Sequence, residues 1–513
     1  MARVEQSGVK TASPPPAPKL PRLPWTQILA ISIFWLGLNF HWAALGIIIL
    51  PSQVFKLVGD LNKGEALAFV LVPGAFVAIF ANPLFGMLSD RTRGRLAAWG
   101  RRRPYIFFGT LVNVVGLLWM AFSRDIFSLA AAYVLVQLSS NAATAPFHAL
   151  LPDVVPSQQR GLASGVMGLL SIVGSIGGAS MTSFFIDANQ PLSAYLLGLW
   201  VAYGIIIAVL LALMLVTIFS VRERKIIPMP DSLSEKAVVP PFLPTQAEGI
   251  PEAQPLGLSR YVIFTVVWTL IAAGAAWSLM ALWNALHLAH VQLSGGVQQV
   301  VLIIIVTAGI LRLFDFNPRR DSDFAWVLLT RLMMMLGIYS VQDFLQFFMR
   351  DIVKVPHPEQ QTTNFLIIVS LASLTSALVA GWLSDRVGRK RMVYISGGFL
   401  VLVGIILMII QSLPLVLASG AFLGIGYGAY TSVDWALVAD VLPSDKHYAR
   451  DMGVWNISLS LPQVIAPVIG GLLIDHFTRS GNALLGFQLL SAFTITCCLI
   501  GTITVHFIRG VKN

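Results

Sequence analysis

Residues 86–91 and 100–104 read Gly86-Met87-Leu88-Ser89-Asp90-Arg91 and Gly100-Arg101-Arg102-Arg103-Pro104, and they belong to a short basic loop between two long apolar segments. A second loop of this kind reads Gly381-Trp382-Leu383-Ser384-Asp385-Arg386-Val387-Gly388-Arg389-Lys390-Arg391, and it also joins two apolar segments. The repeated loop predicts two related halves. Two related halves in a membrane are typical of a transporter that rocks one half against the other.

The composition indicates an integral membrane protein. Of the 513 residues, 56% are hydrophobic and only 11% are charged, whereas soluble proteins have about 25% charged residues. The net charge of +10 does not indicate nucleic-acid binding, because the basic residues lie in short loops beside apolar spans. The two cysteines, Cys497 and Cys498, are adjacent and predict neither a disulfide framework nor a metal site, and no cofactor is expected.

The apolar segments predict fourteen spanning helices, since one span needs about 20 apolar residues. The expected fold is therefore an all-α integral membrane protein with two pseudo-symmetric six-helix halves and two extra helices inserted between them. The predicted order is a disordered cytoplasmic tail over 1–25, a first half over 26–220, a proline-rich cytoplasmic linker over 221–260, an inserted hairpin over 261–313 and a second half over 325–508.

The distribution of lysine and arginine predicts the orientation. With the N-terminus inside, the predicted outer segments hold few of the 34 basic residues, namely Lys56, Lys63, Arg124, Arg350, Lys354 and Arg479. This bias places both termini in the cytoplasm, and we expect a multi-pass protein of the plasma membrane. An even number of inserted spans also leaves both basic loops on the same side.

The halves repeat beyond their loops. Residues 148–157 align with residues 435–444, so that Asp153 matches Asp440. Acids and arginines therefore recur at the cytoplasmic helix ends of both halves, where they could form a charge-assisted latch that closes this side when the cavity faces outward. The alternative is that the arginines only set the topology. The predicted latch comprises Asp90, Arg91, Arg101, Asp153, Asp385, Arg386, Arg389 and Asp440.

The paired Gly-x-Leu-Ser-Asp-Arg loops resemble the signature of the major facilitator superfamily. The first loop carries extra residues, 92–99, and this longer form resembles the plant sucrose carriers and the animal proton-associated sugar transporters. These are relatives of the glycoside–pentoside–hexuronide cation symporters. Residues 42–54 and 141–153 are similar to the first and fourth helices of those carriers. The resemblance implies sugar transport with a proton, while the inserted hairpin departs from the family's twelve-span pattern.

The fourth span carries a polar stripe at helical spacing, formed by Gln137, Asn141, Thr144 and His148. Its amides and hydroxyl could line a cavity and bind sugar hydroxyls; the alternative is hydrogen bonding between helices. In the sucrose carriers the position of His148 holds a sugar-contacting arginine, and that of Gln137 holds an acid linked to proton transfer. Gln137 cannot take up a proton, whereas His148 can titrate near neutral pH.

Two acids in the second half are candidates for proton coupling. Asp434 shares one face of the twelfth span with Tyr427 and lies roughly 10 Å from its cytoplasmic end. A carboxylate at that depth is costly unless it is paired, protonated or hydrated. The alternative is a structural ion pair with Arg331, in which case uniport is expected. Asp343 in the ninth span is the second candidate.

Further polar residues in the first, ninth and thirteenth spans are predicted to bind substrate, because they recur on single helical faces. A tryptophan can stack on the apolar face of a sugar, although packing is the alternative for Trp42. His41 is interpreted as a core histidine. The complete predicted substrate set is Asn39, Trp42, Gln137, Asn141, Thr144, His148, Tyr339, Gln342, Gln346, Tyr427, Asn456 and Gln463.

These observations predict a secondary active transporter with alternating access, which moves a sucrose-, maltose- or glycoside-like sugar with a proton. One alternative is an exporter of drug-like or lipidic compounds. Another is a membrane sensor or assembly factor that transports nothing. No motif indicates an enzyme, and the expected partners are a small solute, a proton and the lipid bilayer, with the protein acting as a monomer.

Overall fold

The computed structural model of the protein describes residues 23–90, 92, 99–156, 159–221, 260–286, 295–313, 316–441, 454–455 and 457–509. Within these residues the chain forms fourteen long helices and no strand. A helix suits hydrocarbon because it pairs every backbone N–H and C=O inside one segment. In chain order the helices are α1 Trp25–Val58, α2 Lys63–Asp90, α3 Arg103–Phe122, α4 Ile126–Val154, α5 Arg160–Phe185, α6 Leu192–Ser220, α7 Arg260–Ala285, α8 Gly295–Leu313, α9 Ser322–Asp351, α10 Pro358–Val387, α11 Arg389–Ile409, α12 Leu413–Val441, α13 Ile457–Arg479 and α14 Ala483–Thr504.

This architecture confirms the expected fold class. Two six-helix halves, α1–α6 and α9–α14, flank the inserted pair α7–α8. Among the described residues, thirteen helices are long and apolar enough to cross a membrane, and α8 carries a shorter apolar stretch over Val297–Gly309. Most of the predicted tail and linker lies outside the described residues, so their form stays a prediction.

The halves pack by the same rule. In the first half α4 packs against α2 and α3, and α1 packs against α5 and α6. In the second half α12 packs in the same way against α10 and α11, and α9 packs against α13 and α14. The halves meet through α2 with α13 and through α5 with α10. Because these two contacts exchange equivalent helices, the bundle has the pseudo-symmetry that the repeated loops predict.

Hydrogen bonds identify which chain segments share an end of the bundle. Leu23 and Gln159 exchange two hydrogen bonds, of 2.7 and 3.0 Å, so α1 and α5 begin together. The Arg509 N–H donates to Asp323, so the chain leaves α14 where α9 begins. We call this the basic end, because the described basic residues of segments 101–103 and 386–391 also lie there, and we call the opposite end the distal end.

The first helix of each half is irregular about two thirds of the way along its length. In α1 the residues Ala44–Ile49 form a π-helical segment, in which the Leu50 N–H donates to the Leu45 carbonyl. In α9 the regular helix ends at Gln342 and resumes at Leu345. In the register that matches Leu36 with Leu336, the interruption of α9 at residues 343–344 aligns with the start of the π-helical segment of α1. Transporter binding sites are commonly built at such interruptions.

The inserted pair lies against the seam between the halves. Ile303 of α8 is buried with Ala68 and Val72 of α2 and with Val464 and Val468 of α13. Most of α7 faces outward, where large apolar side chains are exposed, including Trp268, Trp277 and Leu279. Such a surface is suited to lipid, and α8 therefore contacts both halves while α7 covers it.

Candidate functional site

A cavity of about 170 Å³ lies between the two halves at the irregular parts of α1 and α9. Both halves contribute to it, since α1, α2 and α4 supply one wall and α9 and α13 supply the other. Its lining is Gly46, Ile47, Leu71, Ala75, Tyr133, Gln137, Tyr339, Gln342, Asp343 and Gln463.

The polar lining is arranged alike in both halves. In the first half the Gln137 amide donates to the Tyr133 hydroxyl at 2.9 Å. In the second half the Gln463 amide donates to the Tyr339 hydroxyl at 3.0 Å and thereby joins α13 to α9. The Gln137 oxygen accepts from the Asn141 amide at 3.5 Å and has a second lone pair. The Gln463 oxygen and the two phenol protons add further acceptors and donors, so the walls offer both to a ligand.

Asp343 supplies the only carboxylate among the cavity's described lining residues. It directly follows the regular part of α9, and its backbone N–H still donates to the Tyr339 carbonyl at 3.0 Å. Its Oδ2 atom is buried and accepts no hydrogen bond from the described residues. A carboxylate in this position is costly unless a proton or a ligand donor reaches it.

The remaining predicted residues of α4 and α1 lie outside this lining. Asn141, Thr144 and His148 lie one to three turns from Gln137 toward the basic end. The His148 ring lies 4.7 Å from the Trp35 ring. Asn39 accepts from the Ser171 hydroxyl at 2.6 Å, which joins α1 to α5.

Trp42 borders the cavity indirectly, because its ring contacts the ring of the lining residue Tyr133 edge-on at 6.4 Å. The Gln346 amide donates to Glu359 at 3.0 Å near the distal end, away from the cavity. Tyr427 lies on α12 two turns from Asp434. Asn456 lies outside the described residues.

Asp434 is paired inside the second half. Its Oδ2 lies 3.4 Å from Nη1 of Arg331 on α9, and its Oδ1 accepts from the Tyr430 hydroxyl at 3.1 Å. The Arg331 guanidinium stacks 3.3 Å above the ring centre of Trp455. Both charged side chains are buried. The arrangement is the ion pair named as the alternative above, and Asp343 is the acid that lines the cavity.

The distal end is closed by contacts that the sequence reasoning did not identify. Asp475 of α13 accepts backbone hydrogen bonds from Gly64 and Glu65 at 2.9 and 2.7 Å, so it caps the first turn of α2. A Cβ atom on Gly64 would lie 2.8 Å from the Gly471 Cα atom, so α2 and α13 meet backbone to backbone. A carboxylate at a helix N-terminus is stabilised by the helix dipole.

Ion pairs surround this contact. Lys63 of the first half lies 2.5 Å from Asp351 of the second. Arg350 pairs with Glu359 at 3.3 Å and lies 3.8 Å from the ring centre of Phe55. Glu359 in turn accepts from the Ala188 N–H at 3.2 Å. We call these residues the distal gate: Lys63, Gly64, Asp351, Glu359, Gly471 and Asp475. The sequence signal that could have predicted this gate is the presence of acidic and basic residues at the distal helix ends of both halves.

Most of the side chains of the predicted latch at the basic end lie outside the described residues. Arg91 is not among the described residues, nor are the side chains of the four acids Asp90, Asp153, Asp385 and Asp440. Arg101 precedes α3, and Arg389 begins α11. Arg386 stacks over the ring of Trp382 at 4.0 Å. The latch therefore stays a prediction.

Comparison with known proteins identifies relatives. The family model of the Major Facilitator Superfamily matches residues 69–348 and again residues 327–509. The chain is 22% identical over 502 residues to the sucrose transport protein SUT1 of Oryza sativa subsp. japonica, and the match covers 90% of this chain and 84% of that protein. It is 24% identical over 163 residues, or 31% of this chain, to the multidrug efflux pump LfrA of Mycolicibacterium smegmatis.

These matches differ in extent. The chain spans only 32% of the length of the efflux pump. Among solved structures, the crystal structure of an auto-inhibited peptide transporter of the POT family superposes with a TM-score of 0.64 and 15% sequence identity. That superposition covers 95% of this chain and 98% of the other. At this identity the likeness shows the fold alone.

Proposed function

The chain belongs to the Major Facilitator Superfamily, and from this premise we propose that it moves a sugar together with a proton by alternating access. The observation that carries the proposal is the central cavity, in which amides, phenols and one carboxylate from both halves converge. Membership in the family makes the protein a multi-pass membrane transporter. The sugar, the proton and the direction are the proposed part.

The lining suits a polyhydroxylated solute. Three amide side chains, on Gln137, Gln342 and Gln463, and two phenols line the cavity, and sugar hydroxyls both donate and accept hydrogen bonds. An apolar cavity of about 150 Å³ holds benzene, so a cavity of about 170 Å³ suits one six-membered sugar ring. The sucrose transport protein among the relatives supports the same class of cargo.

Asp343 is the proposed proton carrier, because it faces the cavity and its buried Oδ2 has no partner among the described residues. When the distal gate is open, a proton from outside neutralises this carboxylate and sugar fills the amide walls. A proton alone leaves the amides unpaired, and sugar alone leaves a buried charge, so both together favour closure. Uptake therefore rises as the outside pH falls.

Asp434 has a different place in this proposal. Its partner Arg331 lies at 3.4 Å and Tyr430 donates to it, so the pair balances charge within the second half. It supports the packing of α9 against α12 and does not carry the transported proton.

The test is uptake of labelled sucrose, maltose and methyl glucoside into proteoliposomes, with and without an inward proton gradient. We expect gradient-driven uptake in the wild type and in Arg331→Met with Asp434→Asn, which removes both buried charges together, and its loss in Asp343→Asn. Asp125→Asn is the matched control, since Asp125 caps α4 near the distal surface and an asparagine keeps that cap.

Three results would contradict the proposal. Loss of gradient-driven uptake in Arg331→Met with Asp434→Asn, but not in Asp343→Asn, would move the coupling to the ion pair. Uptake that is equal in all variants and independent of the gradient would indicate a uniporter. Absence of sugar uptake together with gradient-driven efflux of a lipophilic cation would indicate an exporter. Two observations favour that alternative: the efflux pump among the relatives, and the apolar wall that Ile47, Leu71 and Ala75 form in the first half.

A further inference from the structure

A second cavity, of about 280 Å³, opens on the outer face of the second half between α10, α11 and α12. Its walls include Thr375, Val379, Met392, Ile395, Phe399 and Ala429. At its rim Val379 is 59% exposed and Ile395 is 46% exposed. This crevice therefore faces the lipid and is separate from the central cavity.

The crevice offers its occupant no polar anchor along its walls. The Thr375 hydroxyl donates to the Ala372 carbonyl at 2.9 Å, and the Ser376 hydroxyl donates to the Ser373 carbonyl at 3.1 Å. The Thr375 hydroxyl is thus satisfied within α10, and the Ser376 hydroxyl also lies 3.2 Å from the Gly424 carbonyl of α12. An apolar cavity of about 150 Å³ holds benzene, so 280 Å³ holds a substantial length of alkyl chain.

Two arginines flank the basic end of the crevice. On α11, Arg391 precedes the rim residue Ile395 by four residues, which places both on one helical face about 6 Å apart along the axis. On α10, Arg386 follows the rim residue Val379 by seven residues, again on one face. Both arginines are exposed, and they lie on the helix faces that continue the rim of the groove toward the basic end.

Trp382 marks the depth of this end. Its ring is 57% exposed and lies 4.0 Å below the Arg386 guanidinium. Exposed tryptophans are enriched where the hydrocarbon meets the headgroups. The arginines consequently lie at headgroup level while the crevice runs into the hydrocarbon.

We propose that this crevice binds one acyl chain of an anionic phospholipid, whose phosphate is held by Arg386 and Arg391. Guanidinium groups recognise phosphate oxygens in a fork geometry, and basic pockets between membrane helices select anionic headgroups. The Lys and Arg bias predicts that this is the cytoplasmic leaflet. The inference uses neither the central cavity nor Asp343, so it stands apart from the proposed transport activity.

The test uses phosphatidylglycerol with a photoreactive diazirine on its acyl chain, added to the full-length protein in nanodiscs of phosphatidylcholine. We expect adducts on α10 and α11 around Val379 and Ile395. Unlabelled phosphatidylglycerol should compete better than phosphatidylcholine of the same chain length, by about fivefold for each arginine. Free inorganic phosphate should not compete, because it lacks the chain that fills the groove.

The variant Arg386→Gln with Arg391→Gln should lose about 25-fold of that preference while adducts on the crevice persist. The matched control is Arg319→Gln with Arg320→Gln, which removes two exposed charges from the same end of the bundle between α8 and α9. We expect the control to keep the preference of the wild type.

Each contrary result overturns the proposal. Adducts spread evenly over the exposed apolar face of α14, for example at Ile503, would make the crevice ordinary lipid-facing surface. An equal loss of the phosphatidylglycerol preference in both double variants would show that the preference depends only on net charge. Competition by inorganic phosphate would indicate a phosphate site without a lipid. Retention of the full preference in Arg386→Gln with Arg391→Gln would remove the arginines from the site.

Discussion

Arg331 and Asp434 hold each other's charge inside the second half, and each is buried with the other as its counter-ion. The two charged groups lie 3.4 Å apart. Arg331 also stacks on the ring of Trp455, and Asp434 also accepts a hydrogen bond from the Tyr430 hydroxyl. A buried pair of this kind is costly to break from one side, because the remaining charge stays buried without compensation.

Arg331→Met should therefore destabilise the protein by about 3–5 kcal/mol. Adding Asp434→Asn should recover most of that loss, because it removes the orphaned charge. The measurement is the thermal unfolding midpoint of the purified protein in detergent. Arg124→Met, an exposed loop substitution, is the control, and an Arg331→Met midpoint equal to it would show that the pair adds no stability.

Asp475 is the residue on which the cap of α2 depends. Asp475→Asn removes the charge that accepts from Gly64 and Glu65, and charge-assisted hydrogen bonds contribute about 1.5–3 kcal/mol. We expect the distal-open population to rise by roughly tenfold or more. A cysteine at Gln463 in the cavity would then react faster with an impermeant maleimide added from the distal side.

The control for this substitution is Asp125→Asn, since Asp125 is also exposed near the distal surface and its carboxylate accepts from the Ser128 N–H of its own helix. Its labelling rate should match that of the wild type. Labelling that is as slow in Asp475→Asn as in this control would show that the cap does not hold the gate closed.

The polar stripes predict which helix face turns toward the interior, but they do not predict which of their residues reach the cavity. Gln137, Tyr339, Gln342 and Gln463 do line one cavity, because amides and phenols in apolar spans turn toward protein or water. His148 belongs to the same stripe as Gln137 yet lies three turns away, beside Trp35. Helical spacing fixes the face of a residue, whereas its distance from the other half depends on how the helices cross.

The irregular first helix of each half shapes the cavity at the scale of elements. In α1 the π-helical residues 44–49 are followed by Pro51, which has no N–H to donate. The extra residue in this turn brings Gly46 and Ile47 to the cavity wall.

Pro51→Ala should restore the missing donor and favour a regular α-helix through this segment. One residue fewer per wide turn would rotate the following residues by about 100°, so we expect sugar uptake to fall about tenfold or more while thermal stability is kept or raised. Uptake kinetics and the unfolding midpoint together check this. Unchanged uptake in a stable variant would show that the irregularity does not shape the site.

The apolar runs and the basic loops predict the number and order of the helices, and the structure has a helix at each of the fourteen predicted positions. The π-helical turn could not be predicted, since α1 is apolar on nearly every face and a shift of one hydrogen-bond register leaves such a pattern unchanged. The interruption of α9 at Asp343 is hidden for the same reason.

Across the whole molecule, the distal gate depends on backbone contact between the halves. A Cβ atom on Gly471 would lie 2.5 Å from the Gly64 carbonyl oxygen, and no flexible side chain is there to give way. Closure of the distal end therefore requires glycine at this contact.

Gly471→Ala should hold the halves apart at the distal end, so we expect uptake to fall at least tenfold while the cavity stays accessible from that side. Maleimide labelling of a cavity cysteine and sugar uptake measure the two effects. Gly204→Ala in α6, where a Cβ atom meets open space, is the control and should transport normally. Normal uptake by Gly471→Ala would contradict a closed state of this geometry.

The repeated loops predicted the two halves, but they could not reveal this gate. The hydrogen bond from Gly64 to Asp475 joins residues 411 positions apart, and its donor is a backbone N–H that nearly every residue possesses. Only the packing of α2 on α13 selects which of these groups meet, and that packing is a property of the assembled bundle.

The position of the inserted pair also constrains the order in which the helices can pack during synthesis. Ile303 of α8 touches α2, which is made before it, and α13, which is made afterwards. A ribosome adds about 5–20 residues each second, so the roughly 150 residues between α8 and α13 take about 10–30 s. During that interval α8 can rest on the first half alone. When α13 is made, it therefore packs on a surface that α2 and α8 have already formed.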